Sequence, residues 1–278
     1  MTSPLRPLAR PPALPGIGHL PFFLRDKLGF LARAARSPGP VVRLALPGPV
    51  LLLKDADDVR HVLETNPSAY EKSERLATEW GRRLVGRGLL TSSTADHPRF
   101  RRALQPLFQR SQLAPLARPI VRGLETAIDA WCAAGEIDAA VEAPRTLRAI
   151  LHELLFGRDL VARFPTVMDA IETRRLAIHR RVLVPIDVPG VATPAERRLR
   201  RAHATVEAAV LGWIRERRHG DPSPDFLSRL AQARFPDDTL LSDRQVLDEV
   251  LTLTCPNLIK GAQQLVLDSG GGLTVRRS

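Results

Sequence analysis

The stretch that decides the fold is Gly88–Phe108, "GLLTSSTADHPRFRRALQPLF". Asp96 is a helix cap by residue type, and Pro98 is tolerated in a first turn, so a helix is predicted to start here. Yet His97, Arg99, Arg101 and Arg102 crowd its beginning. The helix dipole is positive there, and each cation costs about 0.3–1 kcal/mol. At about 100° per residue, His97, Arg101, Leu104 and Phe108 share one face, while Arg99 and Arg102 point away. Two cations at the head of an apolar stripe, beside free backbone N–H groups, suit an amphipathic anion. Its carboxylates would lie at the basic end and its apolar body along Leu104 and Phe108. A surface helix with a fortuitously basic first turn accounts for the same residues. Pro106 is expected to bend the axis beyond the second turn.

Outward from this segment the chain reads as mainly α with one small β-hairpin. "DKLGFLARAARSPG" has helical spacing at Leu28, Leu31, Ala32 and Ala35 and stops at Ser-Pro-Gly. "VVRLALPGPVLLLKD" predicts two short strands around Pro47-Gly48-Pro49. "DADDVRHVLETNP" predicts a helix capped by Asp55, with Val59, Val62 and Leu63 inward. Residues 71–87 are polar and Gly-punctuated. After Asp96 nearly everything is helical: "PLARPIVRGLETAIDAWCAAG" closed by Gly135, a buried "RTLRAILHELLFG" closed by Gly157, "RFPTVMDAIETRRLAIHRR", and a long basic "ERRLRRAHATVEAAVLGWIRERRHG". "FLSRLAQAR" and "LSDRQVLDEVLTLT" follow, the latter with a Ser242–Gln245 capping box. From Cys255 the pattern fails. "CPNLIKGAQQLVLDSGGGLTVRRS" has Pro256 where a helix should continue, three glycines and a basic end.

At 278 residues the chain is long enough to bury a sizeable core. No run of about 20 apolar residues occurs, so no membrane span is predicted. The Pro-rich "MTSPLRPLARPPALPG" lacks the apolar centre of a secretory signal, which places the chain in the cytoplasm. Net charge is +11, which raises a nucleic-acid or acidic-protein partner. Only Lys27, Lys54, Lys72 and Lys260 of the basic residues are lysine, a skew that tracks codon usage, and the charge is spread along the chain. Aromatic residues make up 5%, too few for single-strand binding by base stacking. Cys132 and Cys255 form no disulfide framework or metal cluster, and each reads as a small buried apolar residue. His152 in "LHELLFG" has Phe156 where a zinc-binding HExxH would need its second His. His19, His61, His179, His203 and His219 show no ligand spacing. Ser92, Ser93 and Asp96 lack a nucleophile elbow. Trp80, Trp131 and Trp213 are expected in or near the core, and Arg82, Arg83 and Arg87 in a solvated loop.

"GLLTS" with "HPRFRRALQPLFQRSQL" resembles the helix C region of the soluble bacterial cytochromes P-450, the heme-thiolate monooxygenases. The order of the other segments agrees. "LPGIGHL" resembles the family's N-terminal arm, and "VVRLALPGPVLLLKDADDVRHVLETNPSAYEK" its first hairpin and helix B. "TLRAILHELLFGRDL" resembles helix E. "LVPIDVPGVATPAERRLRRAHATVEAAVLGWIRERR" resembles the F–G loop and helix G, and "SPDFLSRL" with "LSDRQVLDEVLTL" helix H and the start of helix I. The resemblance implies a P-450-like fold over residues 1–254, truncated within helix I, and an aberrant, disordered tail over residues 255–278. It implies heme as cofactor, with His97 and Arg101 at the positions that bind the propionates. It also implies a ferredoxin or flavoprotein electron donor, met through the basic face of Arg99 and Arg102, and an apolar small-molecule substrate.

Parts of the family pattern are missing. Helix I should carry an acidic residue followed by Thr, but "DEVLTLT" runs into "CPNLIKGAQQ". The helix K ExxR pair and the Phe- and Gly-containing loop with the iron-ligand Cys have no counterpart. Glu172–Arg175, overlapping Arg174, is read as an exposed i,i+3 pair, and Cys255 is not read as a ligand. A break in the coding sequence near Thr254, or an error in the gene model there, accounts for such a tail. Catalytic and metal-ligating residues are therefore expected to be absent. The chain alone is expected to be inactive, and bare strand edges prone to aggregation and uncovered helix faces are expected to leave it poorly folded or molten. Two other readings stand beside this one. The first is a basic helical module binding nucleic acid or protein through "ERRLRRAHATVEAAVLGWIRERR". The second is a degenerate product with no activity.

Overall fold

The computed structural model describes residues 8–46, 48–70, 82, 85–183, 193–220 and 223–254. The predicted tail at 255–278, with Cys255, lies outside them, as do Trp80 and Arg83. The chain divides into two compact units.

The first unit holds helices α1 (Leu20–Arg25) and α2 (Lys27–Ala35) and the hairpin of β1 (Val41–Leu46) with β2 (Gly48–Leu53). The strands are antiparallel, with Val42 opposite Leu52 and Leu44 opposite Val50. Their alternation turns Val42 and Leu44 inward, against Phe30 and Ala34 of α2. One strand edge is less bare than the sequence suggests. Ala9 accepts from Arg43 N–H at 2.8 Å and pairs in parallel with Val42. Buried His19 completes the cover. Its Nδ1 accepts from Ala45 N–H at 2.8 Å, so Nε2 carries the proton, 3.1 Å from the Pro12 carbonyl. Gly18 is forced by the same approach: its φ is +69°, and a Cβ would stand 2.1 Å from the Ala45 oxygen.

Asp55 caps α3 (Ala56–Arg60), accepting from Asp57 N–H as expected. The expected inward face is not formed, because Val59 and Leu63 are exposed and only Val62 is half-buried. The helix gives way to a π-turn over His61–Thr65, which breaks the 3.6 period that would have aligned them.

The second unit is helical. It contains α4 (His97–Leu104), α5 (Arg110–Leu113), α6 (Ala117–Ala134), α7 (Ala139–Phe156), α8 (Arg158–Arg163), α9 (Pro165–Leu183), α10 (Pro194–His219), α11 (Phe226–Ala231) and α12 (Asp243–Leu253). Its core is built where α10, α11 and α12 meet the end of α7 and the start of α9. Along α10, Leu199, Ala202, Val206, Val210 and Trp213 form the buried stripe. Trp213 packs its indole against Phe156 and Phe164, with ring centroids 5.3 and 5.4 Å away. α12 starts at the predicted Ser242–Gln245 capping box and is buried from Val246 through Leu251.

Helix α7 is less buried than its composition predicts. Ile150, Leu155 and Phe156 are in the core, but Leu147 is exposed. Helix α6 meets it at Gly123, where a Cβ would come within 2.5 Å of Ile150 Cγ1. Otherwise α6 has no buried residue, and Ile120, Leu124 and Ile128 lie exposed at i, i+4, i+8. Cys132 on this helix is half-buried rather than buried, for the same reason. A contiguous apolar face of this kind binds hydrophobic dyes. Leu124→Glu combined with Ile128→Glu is expected to lower anilinonaphthalene sulfonate fluorescence of the chain without loss of helical circular dichroism.

Candidate functional site

α4 begins differently from its prediction. Asp96 is already in helical conformation and does not cap. Its carboxylate instead accepts from the Ser93 hydroxyl at 2.7 Å, and His97 N–H donates to the Ser93 carbonyl at 2.9 Å. Pro106 ends the α-helix, and Gln105–Phe108 continues as a 3₁₀ turn.

His97, Leu104 and Phe108 come together as the wheel predicts, along one side of a cavity of about 340 Å³. Leu104 is buried, His97 half-buried and Phe108 half exposed. α11 contributes Phe226 and Leu230 to the lining, and α12 contributes Glu249, Thr252 and Leu253. Leu89 and Leu90, in the turn before α4, complete the lining. Arg101 is exposed and lies outside the lining. Neither Arg101 nor Arg102 makes an ion pair with a described residue. Arg99 does: it meets Asp237 at 3.1 Å and lies 3.9 Å above the Phe235 ring. Hydrogen bonds from Thr239, and then Arg99, hold the Asp237 carboxyl below its ordinary range. Part of the opening cationic excess is thus balanced within the fold.

Glu172 and Arg175 do pair, bidentately at 2.6 and 2.5 Å, but Arg175 is buried, not exposed. The pair lies on the inner face of α9, where Arg148 also approaches Glu172, at 3.6 Å. Beside them, burial pushes the His152 imidazole pKa down, against the pull of Glu172. Arg174, which the sequence places in the same exposed segment, is the larger correction. It is fully buried and donates to the Leu251 carbonyl and the Thr254 hydroxyl, each at 3.1 Å, at the end of α12. Its position was a usable signal, because Val167, Ile171, Arg174 and Ile178 form one i, i+4, i+7, i+11 stripe.

The basic α10 helix spends much of its charge inside the molecule. Arg217 pairs with buried Asp225 at 2.8 Å, and Arg218 with Asp243 at 3.2 Å. Among the described residues there is no group of three His, Cys, Asp or Glu placed to hold a metal ion. Among them, too, no helix is long and apolar enough to cross a membrane.

No family model matches the chain. It is 30% identical over 249 residues to cyclooctat-9-en-7-ol 5-monooxygenase of Streptomyces melanosporofaciens, covering 87% of this chain and 53% of that protein. It is 28% identical over 252 residues to pentalenene oxygenase of Streptomyces avermitilis, covering 87% and 54%. A cyanobacterial cytochrome P-450 with retinoic acid bound superposes with a TM-score of 0.73 at 22% identity, over 97% of this chain and 61% of that one. The cytochrome P-450DA heme domain gives 0.71 at 22%, over 90% and 56%. The chain is thus similar to cytochromes P-450 in sequence and in fold. It spans about half the length of the curated relatives it matches.

Heme is the cofactor that this likeness to P-450 proteins implies. The residues present fit such a group chemically. One side of the cavity is apolar, and His97 stands at it one turn before Arg101, whose guanidinium pairs with no described residue. Of the two cysteines, Cys132 is not in the lining and Cys255 lies outside the described residues.

Two half-buried imidazoles of the chain set an acid response. Desolvation lowers both His152 and His203, the latter with help from Arg174. A histidine whose folded pKa lies below its unfolded value, about 6.5, binds its proton mainly in the unfolded state. Stability is therefore lost as pH falls below about 6.5. Urea unfolding at pH 7.5 and 5.5 is expected to show this drop, and His152→Gln to shrink it.

Proposed function

We propose that this chain forms the propionate-holding half of a heme-dependent monooxygenase that inserts one oxygen atom into an apolar organic substrate. On this reading, residues 1–254 are the N-terminal part of the P-450 domain and residues 255–278 lie apart from it. The observation that carries the proposal is the pair on α4: a half-buried His97 at an apolar cavity, followed one turn later by an exposed Arg101 that makes no ion pair with a described residue. His97 donates an N–H to one propionate, and Arg101 offers its fork of donors to the carboxylates. Leu89, Leu90 and Leu104 exclude water from the apolar body between them. When bound, heme supplies oxygen activation, and in the family an axial thiolate donates electron density to the iron. This sequence has no cysteine in a Phe- and Gly-containing loop, so the chain by itself is proposed to be inactive.

The relatives' names support the substrate class. Cyclooctat-9-en-7-ol and pentalenene are the compounds named in them, and an apolar substrate suits a cavity walled by leucine and phenylalanine. A ferredoxin or flavoprotein would supply electrons, meeting the exposed Arg102. Arg99 contributes less, since Asp237 already neutralises it. A cytoplasmic location fits such a donor.

Hemin titration followed by absorbance tests the site. His97→Ala and Arg101→Ala are each expected to weaken binding about tenfold or more, as for loss of one hydrogen bond to a charged group. Unchanged affinity in the double variant would overturn the assignment. Reduction under carbon monoxide is expected to give no thiolate-type band. Such a band would overturn the claim that the chain lacks the axial ligand.

A further inference from the structure

Glu249 is almost fully buried in α12, 3% exposed, and lines the same cavity as His97. A buried carboxylate is expensive unless strongly hydrogen-bonded. One oxygen accepts from Leu89 N–H at 2.6 Å. The same oxygen occupies the space beside Gly88, where a Cβ would stand 2.5 Å from Oε1 and 2.7 Å from Cδ. Gly88 is therefore small so that this carboxylate can reach the backbone.

The contact is one of several along the same helix face. Asp248, also 3% exposed, accepts from the Arg87 backbone N–H. Its own backbone oxygen lies 2.5 Å from where a Gly86 Cβ would be. The Thr252 hydroxyl lies 2.8 Å from the Val85 carbonyl. Within the turn, Thr91 bonds the Gly86 carbonyl at 2.6 Å and Ser92 the Leu89 carbonyl at 2.8 Å. Residues 86–92 are thus internally braced, and an anchor at one point moves Leu89 and Leu90 together.

We propose that Glu249 is a positioning residue for the cavity: its carboxylate fixes the Gly86–Thr91 turn, and through it the Leu89 and Leu90 wall beside His97. The cavity's role as the heme-side ligand site rests on the function proposed above, whereas the anchoring itself does not. Leucine would fill the same space without the charge. A carboxylate at this place gives the turn's Leu89 amide a hydrogen-bond acceptor.

Hydrogen exchange and hemin titration on the full chain test this, in Glu249→Leu, Glu249→Gln and Gly88→Ala. Glu249→Leu is expected to speed exchange of the Leu89 amide about tenfold or more, with Val206 and Val210 amides of α10 at parental rates. Hemin affinity is expected to fall about tenfold in the same variant. Glu249→Gln keeps an oxygen acceptor and is expected to restore both readouts most of the way. Gly88→Ala, which pushes the carboxylate off, should reproduce the Glu249→Leu pattern, and it decides the matter if the leucine variant does not fold. Parental exchange at Leu89 in Glu249→Leu, no rescue by glutamine, or exchange rising equally through α10 would overturn the proposal. A parent chain that binds no hemin would instead overturn the propionate reading, and the exchange pattern would still decide the anchoring.

Discussion

The second unit depends on how α12 satisfies its polar groups. The helix is buried on all sides from Val246 to Leu251, yet two consecutive acids stand in the middle of that run. Burial on this scale is tolerable only where partners are already in place. Asp248 and Glu249 find backbone amides of the turn before α4. At the other end, Arg174 donates to the Leu251 carbonyl, which needs a partner because the helix ends there. Burial still pushes the Asp248 carboxyl up, with Arg244 and the Arg87 amide only partly offsetting it. Helix and turn each supply what the other lacks: the turn has amides without a ladder, and the helix has acceptors without water.

The same principle divides the cations at the start of α4. Four basic side chains in six residues have three different fates. Arg99 is matched by Asp237 and stacks on Phe235. His97 is drawn into the cavity wall by its position on the apolar face. Arg101 and Arg102 stay at the surface, where water screens the dipole penalty. Arginines elsewhere are similarly committed, as Arg217 and Arg218 show at the end of α10. A formal charge of +11 therefore overstates what a partner would meet.

The likeness to P-450 structures at only 22% identity follows from where the sequence is constrained. Trp213 against Phe156 and Phe164, or Gly123 against Ile150, fix helix approach through volume rather than identity. A shared fold is separate from a shared reaction, and the chemistry must be argued from the cavity and the groups around it.

Much was determined by the sequence alone. Hydrophobic period, Gly135, Gly157 and the Ser242 capping box set the helices, and alternation set the hairpin, because these are local effects of backbone geometry and side-chain spacing. The wheel also placed His97, Leu104 and Phe108 on one face. What faces that side was decided only in three dimensions. Asp237 neutralises Arg99 from 138 residues away, Glu249 reaches the Leu89 amide across 160, and Arg174 caps a helix 77 residues on. The partial burial of α7 and the exposure of Val59 and Leu63 were likewise decided by what packs against them. A chain's own period states which residues share a face, but not whether another element comes to cover it. That depends on long-range packing, which alone converts an apolar face into a core or a charge into a buried partner.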